Sequence, residues 1–235
     1  MKTKAAKYLL EKTKKDYRKI TSEFSNTRNW LWPEFFFFRK YIKKDGHLID
    51  FGCGNGRFFE FVKDMKNLRY TGIDNNPEFI KIAQKNYTST KFLVGDFIDI
   101  PRVPKADNIF AVASFHHVPS LELRKKSIQN LNDILNKDGI LIENGYELYQ
   151  KRYRKYRIKS LFNYFIHFGK YDWNDTFIPW STSGVDRYYH AFTPNELKKL
   201  FKKNGFEILE MFYTKKGKKS KFLNSHNICM ICKKK

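Results

Sequence analysis

Two hydrophobic periods run along this 235-residue chain. Short continuous apolar runs alternate with longer stretches whose apolar positions recur every three or four residues, the marks of strand and helix. The first run, His47 to Phe51, ends in a glycine turn and leads into a helical pattern over Phe58 to Met65. The unit then repeats: a strand from Arg69 to Asp74 with a helix from Pro77 to Asn86, a strand from Phe92 to Val94, a strand from Asn108 to Ser114 with a helix from Leu121 to Leu135, and a strand from Gly139 to Glu143. Repeated strand–helix units predict a mostly parallel sheet covered on both faces, because parallel neighbours need crossover connections. The pattern breaks over Tyr146 to Ser183. It resumes with a helix from Pro194 to Lys203, stopped by Asn204-Gly205, and closes with strands at Phe206 to Tyr213 and Asn227 to Lys233 around a basic loop. Upstream, residues 3–20 predict an amphipathic helix, and Pro33 to Ile42 a second one with proline in its first turn. The expectation is one α/β domain over residues 1–235, with a seven-stranded sheet in which one strand is antiparallel. Its parts are a helical arm (1–45), a core (46–145), an insertion after the fifth strand (146–192) and a closing helix and strands (193–235).

Charge divides these parts. The chain has 46 Lys and Arg against 24 Asp and Glu, a net +22. Residues 46–145 hold 13 basic and 12 acidic residues, residues 1–45 hold 13 and 5, and residues 146–235 hold 20 and 7. A general lysine bias would charge all three alike. A neutral centre between basic flanks predicts a pocket framed by a surface for a polyanion, either nucleic acid or an anionic membrane, beside the plainer reading of a solubilising surface. The densest block is Lys151-Arg-Tyr-Arg-Lys-Tyr-Arg-Ile-Lys159, with six basic residues around Tyr153 and Tyr156.

No apolar run approaches the roughly 20 residues of a membrane span, and the N-terminus has no continuous apolar segment of the signal-peptide kind. No integral membrane association is expected. Three cysteines suit a reducing, cytoplasmic setting. Cys229 and Cys232 form a C-x-x-C, but on an extended segment residues three apart face opposite ways, so no metal site is expected there.

The most informative stretch is Leu48-Ile-Asp-Phe-Gly-Cys-Gly-Asn-Gly-Arg57. A dinucleotide fingerprint G-x-G-x-x-G would need glycine where Arg57 stands, and no phosphate loop of the G-x-x-x-x-G-K type occurs. What remains is Asp50 at a strand end, a G-x-G-x-G turn, and a helix. Asp74 ends the next strand, where a carboxylate can accept from both hydroxyls of a ribose, and Gly95-Asp96-Phe97 follows the third, placed to cover an adenine. Together these pieces resemble the class I S-adenosylmethionine-dependent methyltransferases, over about residues 46–145. The resemblance implies a Rossmann-like fold and S-adenosylmethionine as cofactor. It would be held by Asp50, Gly52, Gly54, Asn55, Gly56, Asp74, Asn75, Asp96, Phe97 and Ser114.

The flanks carry a second, more specific pattern. It comprises Tyr17, Ile20, Phe24, Ser25, Thr27, Arg28, Trp32 and Pro33, then Ser114-Phe-His-His117, Asp175-Thr-Phe-Ile-Pro-Trp180, Arg187-Tyr-Tyr-His-Ala-Phe192 and Glu196-Leu197. This constellation, from about residue 15 to 232, is similar to the tRNA wobble-uridine carboxymethyl methyltransferases, which form the methyl ester of a 5-carboxymethyl group. The resemblance implies a tRNA anticodon loop as substrate and a small zinc-binding activator protein as a possible partner. Two segments depart from the family: Glu143 to Tyr149 lacks its tryptophan, and the Tyr/Arg/Lys insertion at 150–170 is unlike the family pattern.

The chemistry is an in-line displacement, in which positioning supplies much of the rate. A carboxylate acceptor, with an ordinary pKa near ~4, is already ionised at neutral pH and needs a cation rather than a base. Arg28 and Arg187 are the candidate cations, with Arg28 equally able to hold the cofactor's own carboxylate. Tyr188, Tyr189 and Trp180 are candidates to fence an unpaired base, one of the two tyrosines being core. His116 and His117 would wall the acceptor or act as base, and His190 would orient Arg187 or the uracil edge. Lys151, Arg152, Arg154, Lys155 and Arg157, with the arm, would meet RNA phosphates. Two other readings stay open: a methyltransferase of a small apolar acid or quinone precursor held at a membrane, and a non-catalytic RNA-binding subunit.

Overall fold

The computed structural model describes residues 1–28, 30–167, 170–180 and 183–235, apart from the side chain of residue 223. Five parallel strands form as the sequence predicts: β1 (His47–Phe51), β2 (Arg69–Asp74), β3 (Lys91–Val94), β4 (Ala106–Val112) and β5 (Leu135–Tyr146). The insertion folds a separate two-stranded hairpin, β6 (Asp175–Pro179) and β7 (Asp186–His190). The chain closes with β8 (Phe206–Lys215), β9 (Lys218–Ser220) and β10 (Asn227–Lys234). The main sheet runs β3-β2-β1-β4-β5-β10-β8-β9, with β10 antiparallel to both of its neighbours.

The sheet thus has eight strands, not seven. The extra one is β9, inside the basic loop, where Lys216 and Gly217 both take left-handed backbone conformations and make a two-residue hairpin turn. Its lysines hide the strand from a hydrophobicity reading, and they are also what an exposed sheet edge needs to avoid pairing with another chain.

The helices cover both faces. On one side α6 (Leu121–Ile134) and α8 (Pro194–Lys203) bury Ile128, Leu131, Leu197 and Phe201. On the other lie α3 (Phe35–Phe38), α4 (Arg57–Val62) and α5 (Pro77–Asn86), with Phe35, Phe38, Phe58, Phe61 and Ile80. The second predicted arm helix is shorter than its pattern, with α3 giving way to a 3₁₀ turn at Arg39–Tyr41. The arm itself is α1 (Thr3–Lys19) followed by α2 (Thr21–Asn26), and α7 (Arg154–Ile166) lies in the insertion against β6.

On β10, Cys229 packs with the α3–α5 core and Cys232 with the α6–α8 core, so their sulfurs face opposite sides of the sheet. Among the described residues no helix is long and apolar enough to cross a membrane.

Candidate active site

A cleft of about 1270 Å³, open solvent at its mouth included, lies over the carboxyl ends of β1, β2, β3 and β4. Ligands settle there in open α/β sheets because loops diverge from the strand ends and leave a crevice. Asp50, Gly52, Gly54, Asn55, Asp74, Asn75, Asp96, Phe97 and Ser114 all line it. Of the expected cofactor residues only Gly56 stands outside the lining. Its left-handed conformation (φ 83°) caps α4 instead.

The turn after β1 is built without slack. A Cβ on Gly52 would lie 2.3 Å from the Cβ of Ser114, whose hydroxyl donates to the Phe51 carbonyl at 2.8 Å. Gly54 is different: a Cβ there would meet nothing nearer than Phe24 at 4.0 Å, so the missing side chain leaves bare backbone facing the cleft. The Gly54 N–H donates to one oxygen of Asp74 (2.9 Å) and the Asn76 N–H to the other (2.9 Å), fixing the carboxylate while leaving each oxygen a further lone pair. Burial pushes Asp74 up to about 6 and Asp50 to about 7, and Asp50 accepts from the Tyr70 hydroxyl at 2.8 Å. Asp96 takes the N–H groups of Ile98 and Asp99 on one oxygen (both 2.8 Å) and Lys14 of the arm on the other (3.0 Å). Phe97 stacks on Phe51 at 5.2 Å.

The arm and the β6–β7 hairpin supply the rest of the wall: Tyr17, Phe24, Arg28 and Trp32 from one, Arg187 from the other. The guanidinium groups of Arg28 (5.5 Å) and Arg187 (4.8 Å) both lie over the Trp180 ring, and the Arg187 Nε is buried without a partner.

His117 also lines the cleft. Its Nδ1 lies 2.7 Å from the Tyr188 carbonyl, which can only accept, so that nitrogen carries the proton. Nε2 then accepts from the Tyr17 hydroxyl at 2.8 Å. Burial and the Arg187 cation press His117 down to about 3. The ring is neutral, its tautomer is fixed and its lone pair is engaged. It forms a wall of the cleft, with no free base nitrogen.

Three expectations meet a different geometry. Tyr188 and Tyr189 are both buried, on opposite sides of their strand. Tyr188 turns away from the cleft and donates to Asp175 at 2.7 Å, whereas Tyr189 stacks on His116 at 4.9 Å. His190 does not reach Arg187. Its two nitrogens point at Asp175 (2.9 Å) and Glu196 (2.8 Å), tying the hairpin to α8. Arg157 is turned inward, over the Tyr149 ring at 4.0 Å with a hydrogen bond to Asn174 at 3.2 Å, while Lys151, Arg152, Arg154 and Lys155 are exposed. The ligand-type atoms of Asp172, Asp175 and His190 do gather here. Arg124 (2.8 Å to Asp172) and Tyr188 occupy the carboxylates, which describes a structural ion cluster.

Sequence reasoning missed Arg57. It stood out only as the residue that spoils a dinucleotide motif. In the fold it lines the cleft beside Asp50, over Trp32 at 4.9 Å, with Nη1 buried and unpartnered, and burial pulls it down to about 10. A cleft with bare glycine backbone, a half-used carboxylate and an unpaired guanidinium fits a nucleoside carrying a zwitterionic amino-acid tail.

Comparison with known proteins points the same way. Residues 49–142 match the family described as "Methyltransferase domain". A tRNA (carboxymethyluridine(34)-5-O)-methyltransferase of Schizosaccharomyces pombe is 26% identical over 220 residues, covering 84% of this chain and 89% of the yeast protein. The mouse tRNA (carboxymethyluridine(34)-5-O)-methyltransferase ALKBH8 is 30% identical over 142 residues, 58% of this chain, which spans only 21% of the mouse protein's length. This chain carries a class I S-adenosylmethionine-dependent methyltransferase domain. A Methanosarcina mazei crystal structure described as a SAM-dependent methyltransferase has the same fold, with a TM-score of 0.69, 22% identity, and coverage of 84% of this chain and 96% of its own. The methyltransferase domain resembles the tRNA wobble-uridine enzymes in sequence, and its cofactor is S-adenosylmethionine.

Proposed function

We propose that this chain methylates the carboxylate of a carboxymethyl-type group on the wobble uridine of a tRNA anticodon loop, giving the methyl ester. The reading rests above all on the similarity to the fission-yeast enzyme, which spans nearly the whole of both chains. The bare cations at the acceptor end of the cleft support it.

S-adenosylmethionine supplies an electrophilic methyl group on a sulfonium. Asp74, Asn75, Asp96 and Phe97 would hold its adenosine, and the Gly52–Asn55 backbone with Arg57 its amino-acid end. That assignment resolves the double role open to Arg28. With Arg57 on the cofactor's carboxylate, Arg28 and Arg187 are left to draw in the acceptor. Both lie over Trp180, and among the described residues neither makes a salt bridge to a carboxylate, so they can grip an incoming anion without first breaking an ion pair. The acceptor needs no deprotonation, and the neutral, hydrogen-bonded His117 has only to shape the pocket and keep water out. Lys151, Arg152, Arg154 and Lys155 would meet RNA phosphates, giving affinity with a strong salt dependence. A small zinc-binding activator protein belongs to the same reading.

The deciding experiment incubates the protein with isotopically labelled S-adenosylmethionine and tRNA carrying the free wobble acid, followed by nucleoside mass spectrometry. The expected product is a labelled uridine ester that mild alkali hydrolyses. Label in small carboxylic acids, with none in tRNA, would overturn the proposal.

A further inference from the structure

Helix α7 presents its apolar side to solvent. Ser160 is its buried residue and donates to Thr176 of β6 at 2.9 Å. Tyr153 and Tyr156, on the same inward side, pack against Leu148, Ile178, Tyr189 and Ala191. The opposite side carries Ile158, Leu161, Phe162, Phe165 and Ile166, which are 46% to 69% exposed. Their spacing of 3, 4, 7 and 8 residues from Ile158 makes one continuous stripe, the pattern a surface helix normally turns toward its core. Contiguous apolar surface of this kind marks a contact with something else. Exposed Arg154, Lys155 and Lys159 border the stripe, and exposed Lys151 and Arg152 precede it.

The charge narrows the partner. A second copy docking through this face would bring the same five cations against their own kind. RNA would satisfy the cations, yet the aliphatic Ile158, Leu161 and Ile166 neither stack on bases nor meet phosphates. An anionic bilayer satisfies both features at once, with side chains in the acyl boundary and lysine and arginine among the headgroup phosphates. At 13 residues α7 is far too short to span the membrane, so it would lie in the plane of the surface. Farther along the chain Trp173 is 52% exposed, a residue type that favours this interface.

We propose that α7 is a membrane-docking helix, which sinks its outward apolar stripe into the headgroup region of an anionic bilayer while its flanking cations hold the lipid phosphates. The stripe is separate from the cleft, but Lys151, Arg152, Arg154 and Lys155 are also the cations proposed for RNA phosphates, so bilayer and tRNA would compete for that block; substitutions confined to the apolar stripe keep the cations and separate the two readings.

The test is co-sedimentation of the full chain with vesicles of phosphatidylcholine alone and with about 30% phosphatidylserine. Binding is expected only to the anionic vesicles. Phe162→Ser with Phe165→Ser, at the two most exposed positions of the stripe, should weaken it by on the order of tenfold or more. S-adenosylmethionine binding and tRNA affinity should be unchanged in this variant, and that also reports an intact fold. No binding to phosphatidylserine vesicles, or equal binding by the double variant, overturns the proposal. So does a double variant that instead loses tRNA affinity, which would make the stripe an RNA surface, or a wild-type dimer that the variant converts to monomer.

Discussion

On the side of the cleft proposed for the cofactor, two carboxylates are anchored by backbone N–H groups: Asp74 by Gly54 and Asn76, Asp96 by Ile98 and Asp99. On the side proposed for the acceptor Arg28 and Arg187 rest on aromatic rings, and Arg57, between the two, has a buried nitrogen with no hydrogen-bond partner among the described residues. Anchored carboxylates suit a ligand whose shape never changes, since their geometry is set before it arrives. Cations on rings keep their charge for an anion that must come and go. The charge distribution follows the same line, with a neutral core between basic flanks.

The sharpest way to break the cofactor side is Gly52→Val. A Cβ alone would collide with Ser114, and the positive φ of 74° adds strain. S-adenosylmethionine binding by calorimetry should fall by about a hundredfold or more, since even a few kcal/mol of displaced loop suffices. A dissociation constant within threefold of wild type would show the turn to be tolerant.

Charge reversal of Lys151, Arg152, Arg154 and Lys155 to Glu should abolish RNA binding while sparing S-adenosylmethionine binding, because phosphate neutralisation supplies most non-specific affinity. Unchanged RNA affinity would remove this block from the interface.

Arg187→Gln and Arg57→Gln separate the two sides directly. The first should lower kcat/KM for the acceptor on the order of a hundredfold with cofactor affinity nearly constant, and the second should weaken cofactor binding on the order of tenfold or more. Swapped effects would exchange their roles.

Glu143, inside β5 between β4 and β10, offers a smaller effect read in stability. Its oxygens are buried without partners, and burial pushes it up to about 8. Between the ordinary carboxylate range and pH 8 the folded protein therefore holds a proton that the unfolded chain releases, so stability falls as pH rises through that window. Glu143→Gln should melt with wild type near pH 5 and several degrees above it past pH 8, of order a kcal/mol or more in this size class. Parallel melting curves would mean that Glu143 ionises freely.

The smallest effect expected is at His117. Held near 3 beside an acceptor that is already ionised, it should add no inflection of its own, so His117→Gln should give a pH–rate profile parallel to wild type from about pH 5.5 to 8, both bending where Asp74 and Asp50 titrate, near 6 and near 7. An inflection present in wild type and lost in this variant would restore a general base.

That Asp50, Gly52, Gly54, Asp74 and Asp96 would come together in one cleft was legible because their signals are local. A glycine turn between a strand and a helix, and an acid at the next strand end, are short-range facts of sequence. The acceptor half depends on long-range contacts. Tyr17 meets His117 across 100 residues, and nothing near either one announces the pairing. Adjacent tyrosines in an extended segment must face opposite ways, but which one approaches the cleft depends on what β7 packs against. Tyr188 and His190 both pair with Asp175 across the hairpin, and His190 also reaches Glu196 of α8, so both are engaged away from Arg187. In α7 the basic residues drew attention, whereas the apolar stripe between them acquires meaning only once Ser160 fixes which side faces the body.

The sequence alone therefore determined the five parallel strands of the core, the cofactor and the uneven charge, since strand period, turn chemistry and residue counts are properties of neighbours along the chain. Tertiary structure decided which cations are free, which histidine nitrogen is engaged, and which side of α7 faces out. Those outcomes depend on burial and partners brought together from distant segments, and no local pattern encodes them.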